Sequence, residues 1–389
     1  MKQLAFPAWT IAATALFFSS SCNDTTNSTP ENQTQDSMTT KTNPGIQQEK
    51  YGSGDGQDIT RYTLTNASGM VVKIINYGGT ITNVIVPDSA GNPGDVVLGF
   101  DSLSGYTQAK NPFFGCLVGR YGNRIAKGRF TLDGKKFQIG TNDNGHALHG
   151  GIEGFNRKVW AAVPLPGDSS LQLSYTSKDG EEGFPGTLQV KVVYTLTAGN
   201  EIKINYSATT DKATPVNLTN HTYFNLSGGR DSTILGQMVT IHADRYTPVD
   251  KTFIPTGELT PVNGTAMDFN VPSRIGDRID KVEGGYDHNW VLNKKNNTSP
   301  EFAVSVTDPT SGRLLEMFTT EPGVQFYTGN FLDGSLTGKN GMKYVRNGGF
   351  CLEAQHFPDS PNRPAFPSTI LKPGETYKQT TIYKFSVKS

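Results

Sequence analysis

The chain has 389 residues, a formal net charge of zero and only 18% charged residues. This balance offers no electrostatic field for nucleic acid or an anionic membrane surface, so we expect no nucleic-acid partner. Glycine is abundant (43 residues) and 10% of the residues are aromatic. That composition favours many strands joined by tight turns, with rings available to hold a polar ligand.

The first 22 residues resemble a secretory signal peptide. An apolar run over 4–18 is interrupted by Pro7 and is short for a membrane span. The Ser-Ser-Ser-Cys sequence at 19–22 resembles a bacterial lipoprotein processing site, which predicts a lipidated Cys22; ordinary signal cleavage nearby is the alternative. We therefore expect an exported bacterial protein, either periplasmic or anchored to a membrane through Cys22.

Residues 23–50 differ in composition from the rest of the chain. Thr, Asn, Gln, Ser and Pro dominate, and the segment contains no aromatic residue. Such a segment cannot bury a core, so we predict a disordered polar tether. No linker or internal repeat follows, and residues 51–389 are predicted to form a single domain.

Period-2 alternation dominates from about residue 58 onward. The clearest case is the hairpin 188–196 and 202–206, in which apolar residues alternate with polar ones on either side of an Ala-Gly-Asn turn. Similar short strands are predicted over 59–65, 71–76, 80–86, 136–139, 171–175, 237–242, 301–306, 313–318 and 377–387. No convincing helical period appears. We predict an all-β fold in which two antiparallel sheets stack as a large β-sandwich.

Two cysteines, Cys116 and Cys351, lie within the predicted domain, each in an apolar run. Buried free thiols are favoured over a disulfide bond, although an oxidising compartment would permit one.

His146 and His149 form a His-x-x-His pair in a glycine-rich loop. Two ligands without a nearby cysteine or acid are weak evidence for a metal, and we predict none. Glycine lets the backbone approach closely, so a histidine that binds a small polar ligand is favoured over a purely structural one.

The segment 217–226 places His221 among three asparagines and just before Tyr223 and Phe224. The amides can orient an imidazole or a ligand, and the rings offer a surface for the apolar face of a sugar. Because histidine titrates near neutrality, His221 suits proton donation and recovery. A satisfied histidine at a sheet edge is the alternative.

Glu353 emerges from an apolar run, and a buried carboxylate is costly unless it is paired or functional. Asp287 follows two glycines and precedes His-Asn-Trp, a setting that suits either a turn former or a ligand for sugar hydroxyls. Of Arg120 and Arg124, we expect one to be structural and the other to reach a ligand.

Six segments together resemble the aldose 1-epimerase (galactose mutarotase) family, over roughly residues 50–389. They are Gly-Arg-Tyr-Gly-Asn-Arg-Ile (119–125), Leu-His-Gly-Gly (148–151), Asn-Leu-Thr-Asn-His-Thr-Tyr-Phe-Asn-Leu (217–226), Asp-His-Asn-Trp (287–290), Gln-Phe-Tyr-Thr-Gly-Asn (325–330) and Glu-Ala-Gln-His-Phe-Pro-Asp (353–359). The first has Tyr121-Gly122 where the family usually has Val-Ala.

The resemblance implies a many-stranded β-sandwich that interconverts the anomers of free aldoses such as glucose and galactose. It implies His221 as the general acid and Glu353 as the general base, with no cofactor and no metal. The sugar-binding set that it implies is Asn123, Arg124, His149, Tyr223, Asp287 and Gln325.

Three other functions are weighed against this one. A non-catalytic carbohydrate-binding module would need the aromatic and amide residues but not both His221 and Glu353. A glycoside hydrolase would use Asp287 and Glu353 as its carboxylate pair and leave His221 without a task. A phosphosugar epimerase would need more cationic residues. The preferred aldose and the oligomeric state stay open.

Overall fold

The described part of the chain, residues 45–54, 56–167 and 169–388 of a computed structural model, consists mainly of short β-strands. Its 28 strands are β1 (Gly45–Gly54), β2 (Gln57–Thr65), β3 (Val71–Ile75), β4 (Thr80–Pro87), β5 (Pro93–Asp95), β6 (Leu117–Val118), β7 (Arg124–Ile125), β8 (Arg129–Leu132), β9 (Lys135–Gln138), β10 (Ala147–Leu148), β11 (Ala161–Leu165), β12 (Ser169–Ser177), β13 (Leu188–Leu196), β14 (Glu201–Thr210), β15 (Thr214–Pro215), β16 (Thr219–Asn220), β17 (Tyr223–Phe224), β18 (Met238–Ile241), β19 (Arg245–Thr247), β20 (Thr260–Pro261), β21 (Ser273–Arg274), β22 (Asp287–Val291), β23 (Glu301–Thr307), β24 (Arg313–Thr319), β25 (Gly323–Tyr327), β26 (Phe350–Gln355), β27 (Ile370–Leu371) and β28 (Tyr377–Val387).

Helices are short in these residues. One α-helix, α1, covers Leu103–Thr107. Single-turn 3-10 helices cover Ala126–Gly128, Phe155–Arg157, Glu181–Gly183, Ile275–Asp277, Ile279–Lys281, Lys339–Gly341 and Ser360–Asn362. None of the described helices has the length and apolar character needed to cross a membrane.

Three large antiparallel sheets organise the strands. The largest has nine strands in the order β11-β12-β13-β14-β28-β24-β23-β18-β21. A second has six strands in the order β17-β26-β25-β22-β19-β20, and a third follows chain order from β1 to β5. The remaining strands form four two-stranded ladders.

One apolar core joins the three sheets. In β13 the residues at 188, 190, 192, 194 and 196 are buried, as the alternation predicts. They cluster with Leu64 and Val72 of the five-stranded sheet and with Val324 and Leu352 of the six-stranded sheet. The predicted antiparallel β-sandwich is therefore confirmed.

The predicted strands lie in the nine-stranded and five-stranded sheets and in the β8–β9 ladder, but those of the six-stranded sheet were not predicted. All five residues of β25 and all six of β26 are buried. A strand covered on both faces has no polar side to alternate with its apolar one, so period-2 patterning does not reveal it. This unpredicted sheet carries the site described below.

The structure differs from the predicted tether at residues 45–50, which form the first part of β1 and pair with residues 60–65 of β2. Most of these side chains are exposed, because an edge strand is held by backbone hydrogen bonds and does not need an apolar composition. The predicted signal peptide over 1–22, Cys22 and the tether over 23–44 lie outside the described residues. Cys116 and Cys351 are both buried and free, as expected.

Candidate active site

The six-stranded sheet places four predicted site residues on one face. In its antiparallel register Gln325 of β25 lies directly opposite Glu353 of β26. Asp287 of β22 lies opposite Tyr327, which is two residues from Gln325 and shares its face. Tyr223 joins the same face from β17, which pairs with β26. The register therefore gathers residues that are up to 130 positions apart in the sequence.

Asn123, Arg124 and His149 come from the loop around β7 and β10, which pair with each other, and His221 lies just before β17. Asn123 and His149 both have left-handed backbone angles, with φ of 63° and 53°. They are tied together, because the backbone N–H of Asn123 donates to His149 Nδ1 at 3.2 Å and the N–H of His149 donates to the Asn123 carbonyl at 3.1 Å. Gly150 follows with φ of 94°, and a Cβ there would lie 1.9 Å from the oxygen of Gly119. Close backbone contact, which only glycine permits, fixes this loop.

A cavity of about 140 Å³ is enclosed by these two parts of the fold. It is lined by Pro112, Phe113, Asn123, Arg124, Leu148, His149, His221, Tyr223, Asp287, Tyr327, Phe331 and Glu353. Seven of the eight predicted acid–base and sugar-binding residues are in this lining.

The eighth, Gln325, is not part of the lining but contacts Asp287, which is. Its Nε2 donates to Asp287 Oδ1 at 2.7 Å, and its Oε1 accepts from Gln355 at 3.2 Å. Gln355 also accepts a longer bond, 3.4 Å, from Asn123. This buried amide network connects both sides of the cavity and fixes the orientation of the Asp287 carboxylate.

His221 and Glu353 face each other within the cavity. The Nε2 of His221 is 3.6 Å from Oε1 of Glu353, and the two side chains are 6% and 2% exposed. The second carboxyl oxygen, Oε2, is buried without a hydrogen-bond partner among the described residues. An unpartnered buried oxygen is costly, and this one can accept a hydrogen bond from a hydroxyl group in the cavity.

Burial sets the protonation of this pair. Desolvation, helped by the nearby charge of Asp287, raises the pKa of Glu353 well above its ordinary value, and Arg124 opposes the shift. Desolvation lowers the pKa of His221 to about 4. Burial therefore favours a protonated Glu353 beside a neutral His221, because both charged forms lose hydration.

Arg120 and Arg124 have different surroundings. Arg124 lines the cavity, with its Nε bound to Asp143 Oδ2 at 2.8 Å and its guanidinium 4.8 Å from the ring centre of Phe253. Arg120 is buried and donates to the backbone oxygens of Pro185 and Gly186 at 2.9 and 2.8 Å. Arg120 therefore holds the segment around Pro185 and Gly186, while Arg124 lines the cavity.

Several residues at the site were not predicted. Phe113, Tyr327 and Phe331 complete the aromatic wall, and Gln355 completes the amide network. Tyr327 and Gln355 lie inside segments of the family resemblance, which was the available signal. Phe113 lies in an apolar run with no distinguishing pattern, so its place in the wall depends on its left-handed φ of 66° and on the fold.

Tyr121, at the departure from the family motif, does not line the cavity. Its hydroxyl donates to the carbonyl of Phe357 at 3.3 Å and accepts from the N–H of Ser360 at 3.1 Å. Asn123 and Arg124 keep their positions because the tyrosine points away and anchors the loop after β26.

His149, His221 and Glu353 each offer a metal-ligand atom, and the three atoms lie within 4.8 Å of one another. Tetrahedral zinc with bonds of about 2.0–2.1 Å brings its ligands to about 3.4 Å from each other. The looser spacing suits a substrate group between the side chains better than a zinc ion. His146 is not in this group, and its Nδ1 accepts the N–H of Lys127 at 2.8 Å.

A larger groove of about 930 Å³ lies elsewhere, next to β11–β14. Polar residues such as Asp58, Gln189 and Lys191 line it, and none of the eight predicted residues does. It therefore lacks the histidine–carboxylate pair that distinguishes the smaller cavity.

Comparisons with known proteins agree with this geometry. The family described as "Aldose 1-epimerase" matches residues 60–384. The chain is 51% identical to a human galactose mutarotase over 317 residues, covering 81% of this chain and 91% of that protein. It is 39% identical to an aldose 1-epimerase of Escherichia coli K12 over 338 residues, covering 85% and 96%. A crystal structure of galactose 1-epimerase from Lactobacillus acidophilus superposes with a TM-score of 0.78 at 30% identity, covering 89% of this chain and all of that one.

The predicted localisation, as a periplasmic or membrane-anchored bacterial lipoprotein, is wrong. Relatives at 50–51% identity are galactose mutarotases of mammals, including Homo sapiens, Bos taurus and Mus musculus, and these are not bacterial lipoproteins. A short apolar run followed by three serines and one cysteine is too brief a pattern to outweigh similarity over more than 300 residues.

Proposed function

The chain belongs to the aldose 1-epimerase family, and from this membership we propose that it interconverts the α and β anomers of free aldohexoses such as glucose and galactose, with His221 as general acid and Glu353 as general base. The observation that carries the assignment is the 3.6 Å approach of His221 Nε2 to Glu353 Oε1 in a cavity lined by polar and aromatic groups. A binding module would not need this pair.

Ring opening requires two proton transfers. Glu353 removes the proton from the C1 hydroxyl while Nε2 of His221 gives a proton to the ring oxygen. The bond between C1 and the ring oxygen breaks, and its electron pair stays on that oxygen as C1 becomes a carbonyl carbon. After rotation about the C1–C2 bond the ring closes on the other face, and both protons return to their donors. Each positioned group is expected to contribute about 10²–10⁴-fold.

The pair holds one exchangeable proton throughout. The closed sugar requires ionised Glu353 and protonated His221, whereas the open aldehyde leaves Glu353 protonated and His221 neutral. Burial favours the second state, as the pKa directions of both residues indicate. The pocket is thus predisposed to stabilise the protonation state of the ring-opened intermediate. Arg124, which lowers the pKa of Glu353, favours the ionised state that begins the cycle.

The remaining residues suit a sugar ring. Arg124 and Asp287 offer opposite charges to hydroxyl groups, and hydrogen bonds to charged groups are the stronger ones. Tyr223 and His149 present ring surface next to His221, with ring centres 5.2 and 5.0 Å away. We propose that Asn123, Arg124, His149, Tyr223 and Asp287 hold the sugar directly. Gln325 holds it through Asp287.

Polarimetry and proton NMR of freshly dissolved α-D-glucose and α-D-galactose test the proposal. The protein should accelerate anomer exchange, and Glu353→Gln and His221→Asn should each lower kcat by about 10²-fold or more. Calorimetric titration with the same sugars should show that both variants still bind. Sugar binding without acceleration by the unmodified protein would support the binding-module alternative and refute the enzyme.

Cleavage after a signal peptide over 1–22 and lipidation of Cys22 concern the chemistry of residues outside the described part of the chain. They stay sequence predictions, separate from the localisation, which is corrected above. Mass analysis of the mature N-terminus tests both, because lipidation and simple cleavage give different masses.

A further inference from the structure

Cys351 occupies a position in the sheet that the proposed chemistry has not used. It lies on β26, directly opposite Tyr223 of β17 and Tyr327 of β25. Because side chains alternate along a strand, Cys351 points to the same face as Glu353, two residues further on. The thiol and the carboxyl group therefore lie on the same face of one strand, and of the two only Glu353 lines the cavity.

These two groups contact opposite nitrogens of one imidazole. The sulfur of Cys351 is 3.5 Å from Nδ1 of His221, and Oε1 of Glu353 is 3.6 Å from Nε2. Among the described residues, Cys351 is the one side chain that hydrogen-bonds the His221 ring, and the backbone of His221 itself makes a further hydrogen bond that raises the pKa of the imidazole. The backbone of His221 is fixed separately, because its N–H donates to the carbonyl of Cys116 at 2.9 Å.

The reaction places a demand on the tautomer of His221. If Nε2 gives its proton to the ring oxygen and later takes it back, then Nδ1 must keep its own proton throughout. A buried N–H needs an acceptor, and divalent sulfur is a weak one. Burial raises the pKa of the Cys351 thiol well above its ordinary value, so the sulfur stays a neutral thiol.

A weak neutral acceptor also suits an acid. A carboxylate at Nδ1 would stabilise the imidazolium, because a nearby opposite charge favours the charged form of a titratable group. The imidazolium would then be a poorer proton donor. The thiol orients the ring without adding a negative charge, which leaves the imidazolium a strong acid toward a weakly basic ether oxygen.

We propose that Cys351 is a positioning residue for the epimerase reaction: its sulfur accepts the Nδ1–H of His221, so that Nε2 is the nitrogen that carries the exchanged proton. The inference rests on the proposed function for the role of His221, but the tautomer that it assigns belongs to the free protein. It can therefore be tested without sugar.

The tautomer is measured by NMR of protein labelled with ¹⁵N-histidine, near neutral pH. The signals of His221 are those lost in His221→Asn. We expect neutral His221 to carry its proton on Nδ1 in the unmodified protein and in Cys351→Ser, and to shift toward Nε2–H in Cys351→Ala. An Nε2–H tautomer in the unmodified protein, or a tautomer that Cys351→Ala leaves unchanged, would overturn the proposal.

Kinetics separate positioning from simple packing. Cys351→Ala should lower kcat about 10-fold or more while KM changes little, because a histidine held in the wrong tautomer binds sugar but transfers protons poorly. Cys351→Ser should restore most of that loss, and the pH profile of kcat should change in Cys351→Ala. A fall in stability with an unchanged pH profile and tautomer would show a structural role only and refute the proposal.

Cys116→Ala is the matched control. Its thiol is equally buried but donates to the backbone oxygen of Phe113 at 3.2 Å rather than contacting an imidazole, so the His221 tautomer should not change. If the unmodified protein fails to accelerate anomer exchange, the proposed function fails, while the tautomer measurement still decides the role of Cys351.

Discussion

The opposite pKa shifts of Glu353 and His221 predict opposite effects of their replacement on the pH dependence of stability. The folded-state pKa of Glu353 is raised above its model value of 4.5. Its contribution to stability is therefore complete below pH 4.5 and is lost as the pH rises toward the folded pKa. The folded-state pKa of His221 is lowered from 6.5 to about 4. Its contribution is complete above pH 6.5 and is lost as the pH falls toward 4.

The magnitudes follow from proton linkage. Each proton that one state binds and the other does not changes the free energy of unfolding by about 1.4 kcal/mol per pH unit. Between pH 6.5 and 4, His221 therefore costs the protein up to about 3 kcal/mol. Glu353 costs up to about 1.4 kcal/mol for each pH unit by which the pH rises above 4.5 toward its folded pKa. The two slopes offset each other between pH 4.5 and 6.5 in the unmodified protein.

Single substitutions should expose each slope. Relative to the unmodified protein, Glu353→Gln should become more stable as the pH rises from 4.5, by up to about 1.4 kcal/mol for each pH unit. His221→Asn should show its advantage near pH 4 and lose it by pH 6.5. Chemical denaturation at a series of pH values measures both differences, and Glu283→Gln, at an exposed position, is the matched control. Differences that do not change with pH, or that change in the same direction in both variants, would refute the reasoning.

Three further substitutions test the supports of the site. Asp143→Asn should raise KM about 5-fold with little change in kcat in steady-state kinetics, because Arg124 loses the carboxylate that lies 2.8 Å from its Nε. An equal fall in kcat would contradict a purely anchoring role for Asp143. Tyr121→Phe should keep its activity but lower the free energy of unfolding by about 1–3 kcal/mol, because two hydrogen bonds of the hydroxyl are lost. Loss of sugar binding in calorimetry would instead place Tyr121 in the pocket wall. Gly150→Ala should destabilise the protein by about 2 kcal/mol or more, because φ is 94° and the new Cβ would lie 1.9 Å from a backbone oxygen. An unchanged melting temperature would refute that close contact.

The strands whose faces differ in polarity could be predicted from the sequence. In β13 the buried and exposed residues alternate, because one face meets the core and the other meets solvent. The sheet that carries the site could not be predicted in this way, since β25 and β26 are buried on both faces. Its residues were found through motif resemblance, which does not depend on strand periodicity.

For the candidate site, the sequence indicated the residues and the fold set the distances between them. Residue type and neighbours pointed to His221 and Glu353, because a histidine among amides and a carboxylate in an apolar run are each costly without a task. Their 3.6 Å approach depends on the pairing of β17 with β26. The indirect position of Gln325 behind Asp287 depends on the register between β22 and β25.

The sequence by itself determined the fold class, and it singled out the candidate acid and base and a set of polar and aromatic residues suited to a sugar. Tertiary structure alone decided how their chemistry is tuned. The sequence indicates only a buried thiol at Cys351, and the register of β26 places its sulfur at Nδ1 of His221. The pKa directions of His221 and Glu353 come from burial, which is a property of packing and not of neighbouring letters in the sequence.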